Sequence, residues 1–472
     1  MRIVKIILYI ILGIMLILMI SIALIFLKDY SSTSYLNLQK NETTILIKNL
    51  NLVPMSKDTV ISNSSVLIQN GRIVQIGQNI DNKNAQIIDG ENKFLSPGLI
   101  DMHVHVWDRY ELGLYLANGV TTVRNLWGIP LHLRIKEELE NGDIIGPMFF
   151  TSSPKLTGPE DFGDDKVQIE SADQARELVQ DYHSRGYDFI KTYAGITEPL
   201  FDAIVEEAEV HDMDLVSHPS FQMTYSKNFI EQVATIEHVE DIVQQPLNYQ
   251  LDSIKLDSVV GLMAASKISF SPTLSGFYKI YEMLTQQDIL DSEALHYINP
   301  LFKSVDSEAQ VTRWQGEKSE NPEIINNILR QHQFHLYIIK KLHDAGVNIV
   351  CSTDAGIGAS PAGFTIHEEL KFYQQAGLSN FEVLKTATIN PSKVHKEFSD
   401  LGSITEGKWA NFALTNENPL KHLETLKDPQ WVMVKGHLLD RNTLEGFKNK
   451  AYDRSNMAVS AIYWIENLMT ER

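Results

Sequence analysis

Residues 97–108 read Pro-Gly-Leu-Ile-Asp-Met-His-Val-His-Val-Trp-Asp, an apolar run ending in two histidines one residue apart. Alternate residues of a strand point the same way, so the imidazoles of His103 and His105 converge at the end of a strand Gly98–His105. Seven more short apolar runs follow, with helical stretches between them: Val120–Asn125, Met148–Ser152, Phe189–Tyr193, Leu215–His218, Thr235–His238, Ile268–Leu274 and Asn348–Asp354. This alternation is the pattern of βα units around a parallel sheet. Eight units across residues 97–399 predict an α/β fold, a (β/α)8 TIM barrel. The longest connection, about 275–345, is helical in pattern and of mixed charge. It reads equally as a lid over the barrel mouth and as a structural insertion.

Outward from the barrel the pattern changes on both sides. Residues 44–96 hold short apolar runs with Asn70-Gly71 between two of them, a strong hairpin signal. Strand-and-turn character returns after residue 400, so 44–96 and 400–450 together predict a small flanking β-sandwich domain built from both ends. Residues 451–472 read as a C-terminal helix. Ahead of the β-domain, 29–43 is polar and suits a linker.

Ile6–Leu27 carries no charge and almost no polarity. As a helix it spans about 33 Å, enough for a bilayer core of about 30 Å. The apolar region of a cleaved signal peptide is shorter and ends in small residues, whereas Phe26, Leu27, Lys28 and Asp29 close this one. Residues 1–28 are therefore expected to be a transmembrane anchor. Arg2 and Lys5 precede it, which places the N-terminus in the cytoplasm and the catalytic portion on the outer face. Export after signal-peptide cleavage is the alternative.

The net charge of −19 argues against a nucleic-acid partner, which needs a basic patch. The single cysteine, Cys351, excludes an intrachain disulfide and a cysteine-based zinc site, and in its apolar strand it reads as a core residue.

An isolated His-x-His pair is weak evidence of anything. Here, however, Lys191, His218, His238 and Asp354 also stand at the C-terminal ends of predicted strands, where TIM barrels carry their active sites. Each has an ordinary explanation: a snorkelling lysine, a core histidine, a helix-capping aspartate. Together they would require six polar residues at five strand mouths by accident, and buried Lys and Asp are rarely tolerated unpaired. Imidazoles and a carboxylate in one place suit a borderline divalent metal.

In this ordered pattern the chain resembles the amidohydrolase superfamily, whose members carry HxH on strand one, lysine on strand four, histidines on strands five and six and aspartate on strand eight. The resemblance runs from Thr44 to Gly436. It is carried by LSPGLIDMHVHVWD (95–108), NGVTTVRNLWG (118–128), DFIKTYAG (188–195), VSHP (216–219), IEHVED (236–241), STDAG (352–356) and LGSITEGKWANFAL (401–414). It looks most similar to the imidazolonepropionase-like, prolidase-related (Xaa-Pro dipeptidase-like) branch. Two departures stand out: Asn125 and Asn411 occupy positions where the family often has aspartate.

The resemblance implies two divalent metal ions, zinc by default from the imidazole-rich set, with a CO2-derived carbamate on Lys191 bridging them. His103, His105 and Asp354 would hold one metal, and His218 and His238 the other. An ammonium would repel the dications, whereas a carbamate is an anionic bidentate ligand. Such a site lowers the pKa of a bridging water, and Asp354 would pass its proton to the leaving nitrogen. The implied activity is hydrolysis of an amide in a small dipeptide or N-acyl-amino acid. Tyr193, two residues past Lys191, together with Arg124, Tyr225 and His367, are the candidate substrate contacts. The alternatives are a mononuclear deaminase or imidazolone-type cyclic amide hydrolase, and a non-catalytic metal-binding surface protein. Association into a homo-oligomer is compatible with all three.

Overall fold

A computed structural model describes residues 2–38 and 44–471; residues 39–43, the end of the expected linker, lie outside the described residues. The first element is one helix, Arg2–Ser32, long and apolar enough to cross a membrane, although a signal sequence would share those properties. Its apolar window is uncovered on all sides, as befits a helix that is hydrophobic all round and finds no protein partner. Among the described residues, its last turns meet the rest of the chain. Phe26 lies 5.7 Å ring to ring from Tyr463, and Asp29 is buried 3.9 Å from the Arg109 guanidinium. Leu36 is fully buried, and Leu38 N–H donates to Asp143 O at 3.0 Å.

The flanking β-domain is a single continuous sheet fed by both ends of the chain. Ile45–Leu52, Ile61–Gln69, Arg72–Gly77, Gln86–Asp89 and Phe94–Pro97 come from the N-terminal side; Phe412–Thr415, Trp431–Val434 and His437–Asp440 come from the C-terminal side. The pairings are antiparallel except those of Ile45–Leu52 with Gln86–Asp89 and with Phe94–Pro97. The Asn70-Gly71 hairpin forms with both residues at positive φ, 49° and 73°, as a type I′ turn requires.

The barrel begins where Phe94–Pro97 passes directly into Leu99–Val104. Six regular strands follow in parallel: Val120–Asn125, Met148–Thr157, Phe189–Thr192, Asp214–Ser217, Val233–Glu237 and Ser269–Ser271. The eighth position is filled by 348–355, which closes the ring through isolated bridges. Val350 N–H donates to Phe270 O at 2.9 Å on one side, and Met102 N–H to Cys351 O at 2.8 Å on the other. The segment is not a regular strand because both Thr353 and Asp354 N–H turn to His103 O and Asp354 adopts φ 56°.

Inside the barrel, alternation divides the work. Phe189 and Val216 belong to an apolar plug with Ile100, Met102, Leu126, Val350, Phe398 and Leu401. Two residues further on, Lys191 and His218 stand on the same face nearer the mouth. The 275–345 connection has its own core of Met283, Ile289, Leu295, Phe302 and Val311, packed on Trp107. Asp306 Oδ2 accepts from Gly358 N–H at 2.9 Å, and Asn299 Nδ2 donates to Asp108 at 2.6 Å. The insertion therefore sits on the loops that leave strands one and eight.

Candidate active site

The strand ends bring the predicted residues together. Imidazole rings of His103 and His105 lie 5.3 Å apart, His103 and His238 5.0 Å, and His218 and His238 4.6 Å. Ligand atoms of His103, His238 and Asp354 all fall within 4.8 Å of one another. Asp354 Oδ1 is 3.2 Å from His103 Nε2 and 2.9 Å from His105 Nε2. Two of these residues, His238 (φ 68°) and Asp354 (φ 56°), are in the left-handed region, as is the neighbouring Thr273 (φ 52°). Non-glycine residues accept that strain where the surroundings over-determine it, and such positions cluster at functional sites.

Two of the rings are oriented by a further hydrogen-bond partner. His103 Nδ1 is 2.8 Å from Glu237 Oε2, and His238 Nδ1 is 2.9 Å from Thr273 Oγ1. His218 Nε2 is 3.3 Å from Asp241, while its Nδ1 has no hydrogen-bond partner among the described residues. Burial holds all four imidazoles neutral, His105 and His238 down to about 3. Burial opposes ionisation of Glu237, but the Arg124 guanidinium at 3.0 Å holds it well below the usual carboxylate range. Asp354 is likewise depressed, because contacts with His103 and His105 outweigh its burial.

These states test whether a cation fits. With Glu237 ionised and His103 neutral, the Nδ1–H must donate to the carboxylate, so Nε2 presents a lone pair. That Nε2 lies 3.2 Å from an Asp354 oxygen, and ligand atoms of His103, His238 and Asp354 gather within 4.8 Å of one another, as around one cation. Lys191 Nζ is fully buried with no hydrogen-bond partner among the described residues, and burial brings its pKa to about 8. The unpartnered His218 Nδ1 and the orphaned Lys191 amine belong to the same pocket of donors. A divalent metal set fits these residues.

Of the four candidate substrate contacts, only Tyr193 stands beside the histidines. Its ring lies 4.6 Å from that of His218, with Lys155 and Lys166 Nζ 5.1 and 5.0 Å from its centroid. Arg124 is otherwise occupied. It is fully buried inside the barrel and bonded to Met102 O, Thr235, His395 and Glu237, so no guanidinium nitrogen is left for a substrate carboxylate. His367 is buried with Nε2 against Asn118 O at 3.0 Å. Tyr225 is buried against Phe229 in the loop past strand five.

Glu237, Thr273 and Asp241 escaped the sequence reading. Glu237 had a usable signal: an acid inside an apolar strand, two residues from the inward-facing Thr235 and level with a basic residue in another strand. Asn125 and Asn411 have structural roles. Asn125 Oδ1 accepts from Val106 N–H at 2.9 Å, and Asn411 Oδ1 from Lys435 N–H at 2.8 Å.

Comparison with known proteins agrees with this arrangement. The dihydroorotase of Carboxydothermus hydrogenoformans is 52% identical over 64 residues, a segment covering 14% of this chain and only 15% of that enzyme. Among solved structures, the bottromycin amidohydrolase superposes with a TM-score of 0.75 at 20% identity, covering 90% of this chain and 95% of its own. A Xaa-Pro dipeptidase with bound methionine in its active site gives 0.65 at 20% identity, over 84% and 100%. At such identities these likenesses speak for the fold. The model of the amidohydrolase family matches residues 94–439, from the last strand before the barrel to the last strand of the flanking sheet. A match over that much of the sequence shows that the chain belongs to the amidohydrolase family.

Proposed function

We propose that this chain is a binuclear metal-dependent hydrolase that cleaves the amide bond of a small dipeptide or N-acyl-amino acid. Family membership supports the coarser statement, a metal-dependent hydrolase of carbon–nitrogen bonds. The observation that carries the finer one is Lys191: a fully buried amine, without a hydrogen-bond partner, among four neutral imidazoles. A lysine left there as an ammonium would be a buried charge with no hydrogen bond among the described residues. As a carbamate it becomes an anionic ligand.

In this reading His103, His105 and Asp354 would hold one metal, His218 and His238 a second, and a carbamate on Lys191 would serve both. Once bound, such a pair would supply an acidified water and polarisation of the scissile carbonyl. The chain supplies the rest. Glu237 and Thr273 fix the His103 and His238 rings, and Asp354 takes the proton of the attacking water and delivers it to the leaving nitrogen. Tyr193 contacts the substrate beside His218.

The same reading places the chain in a membrane through Arg2–Ser32, with the N-terminus cytoplasmic and the barrel on the outer face. It rests on the uncovered, charge-free run and on Arg2 and Lys5 ahead of it.

The test is metal content per full-length chain, purified in detergent without chelators. Two equivalents, falling in Lys191→Ala together with turnover of dipeptides and acyl-amino acids, support the proposal. One equivalent indifferent to Lys191 points to the mononuclear alternative. Full metal loading and near-normal turnover in Lys191→Ala would refute the bridge.

A further inference from the structure

The apolar helix and the barrel mouth are related through a short stretch of chain. Phe26 packs on Tyr463, and the adjacent Trp464 lies against Trp107 and Trp127 at ring distances of 5.7 and 5.4 Å. Trp107 follows His105 in the loop leaving strand one, and Trp127 lies in the loop leaving strand two. Further along, Leu36 O accepts from Ile145 N–H and Leu38 N–H donates to Asp143 O. Asp143 and Ile145 lead into strand three from the opposite end of the barrel. From Phe26 to Leu38 the chain thus descends from the mouth side to the far side. Residues upstream of Phe26 leave from the mouth end.

The same end carries large apolar side chains that none of the described residues covers. Phe162, in the loop leaving strand three, is 77% exposed, and Phe221, past strand five, is 57% exposed. Ile254, in the first turn of the helix that returns from strand six to strand seven, is 81% exposed, and Val305, in the insertion above strands seven and eight, 60%. Four such groups on one rim are apolar tips that an adjoining apolar surface would bury.

We infer that the barrel mouth faces the bilayer, with Phe162, Phe221, Ile254 and Val305 seated in the lipid interface around the opening. This rests on the anchored reading above. The occupant is a lipid surface because a bilayer-length apolar helix leaves from this very end and holds the rim close to it. Amphipathic loops with aromatic and aliphatic tips bury at such a boundary by the same physics as interfacial helices. A substrate then reaches Lys191 and Asp354 along the membrane, which favours amides that carry an apolar acyl chain.

The test places one fluorophore at a time on the full-length chain in phosphatidylcholine/phosphatidylglycerol vesicles, through Phe162→Cys, Ile254→Cys or Ile87→Cys. Ile87 is 61% exposed in the flanking sheet at the other end, and native Cys351 is buried and escapes labelling. Lipids spin-labelled near the headgroup should quench positions 162 and 254 several-fold more than position 87. Equal quenching at all three would overturn the inference. So would labels at 162 and 254 that are shielded only at high protein-to-lipid ratios, which would assign the rim to a second copy of the chain. Alkaline carbonate extraction, run alongside, separates this outcome from failure of the anchor itself; a chain released by carbonate overturns both. None of these readouts depends on turnover, so the hydrolase assignment stands or falls separately.

Discussion

Glu237 joins the histidine cluster to the barrel interior: one carboxylate oxygen accepts from His103 Nδ1–H at 2.8 Å, and the other lies 3.0 Å from Arg124 Nη2. Both partners are fully buried, so the pair cannot exchange its interactions for water. The chain of contacts continues from Arg124 to His395 Nε2 at 2.9 Å and from His395 Nδ1 to Asp214 at 2.6 Å. Glu237 is therefore a positioning residue for His103 and the counter-charge of a buried guanidinium. Glu237→Gln should lower metal affinity by about 10–100-fold through misorientation of His103. It should also destabilise the protein by about 3–5 kcal/mol, because Arg124 is left uncompensated. Metal titration and urea unfolding of the metal-free protein read the two effects separately. Unchanged values in both would remove Glu237 from the site.

Lys191 gives a pH dependence of known sign. Burial lowers its pKa to about 8, and only the neutral amine reacts with CO2. A depressed lysine loses its proton as pH rises through the folded value, so at fixed dissolved CO2 the reactive fraction grows from about one tenth at pH 7 to about nine tenths at pH 9. An ordinary lysine near 10.4 would be only about 4% neutral at pH 9. Labelled CO2 added to metal-free protein should give a carbamate carbon signal that grows over this window and is absent from Lys191→Arg. A signal that first appears above pH 10 would show a lysine open to water.

The sequence made the barrel and its six mouth residues legible because both depend on local rules: a period of two along each strand, and polar groups at strand ends. Asp354 and His238 could be placed even though their left-handed backbone could not, since strain of that kind is imposed by neighbours distant in sequence. Arg124 shows where local reasoning stops. A lone basic residue at a strand end looks like an anion receptor until Glu237, 113 positions away, is known to face it. The closing segment 348–355 was legible as an apolar run, but its irregular pairing depends on Asp101, whose carboxylate receives Thr353 N–H and Oγ1–H.

That aspartate invites its own test. Asp101 is almost fully buried and accepts from His103 N–H at 3.3 Å and Thr353 Oγ1 at 2.7 Å; burial pushes its pKa up to about 8. A raised folded pKa means that the folded state binds the extra proton. The stability it confers is complete below the unfolded value of about 3.9 and is lost as pH rises toward 8. Asp101→Asn keeps the shape and cannot titrate. The stability of the parent relative to Asp101→Asn should therefore fall steadily from pH 4 to pH 8 in chemical unfolding, while Asp101→Ala costs about 1–3 kcal/mol throughout for its stranded amides. A flat difference would place an ionised aspartate there.

Gly356, two residues past Asp354, offers the sharpest geometric test. Its φ is +94°, and a Cβ added there would come within 1.9 Å of His105 O. His105 N–H in turn donates to Ala355 O at 2.7 Å, so the two strand ends that carry His105 and Asp354 lie backbone to backbone at this point. Glycine is required both for the left-handed conformation and for the close approach. Gly356→Ala must push strand one from strand eight by a distance that neither flexible side chains nor rotamers can absorb. A displacement of even 1 Å between ligands costs a metal site far more than it costs a hydrophobic core. The expected result is a protein that still folds, with a circular dichroism spectrum like the parent, but loses at least about tenfold in metal affinity and activity. Gly407→Ala is the control: its φ is similar, +90°, but no atom lies within 4 Å of the added Cβ. It should lose a comparable amount of stability while keeping its metal. If both variants bound metal like the parent, the close contact between His105 and Gly356 would have no part in shaping the site.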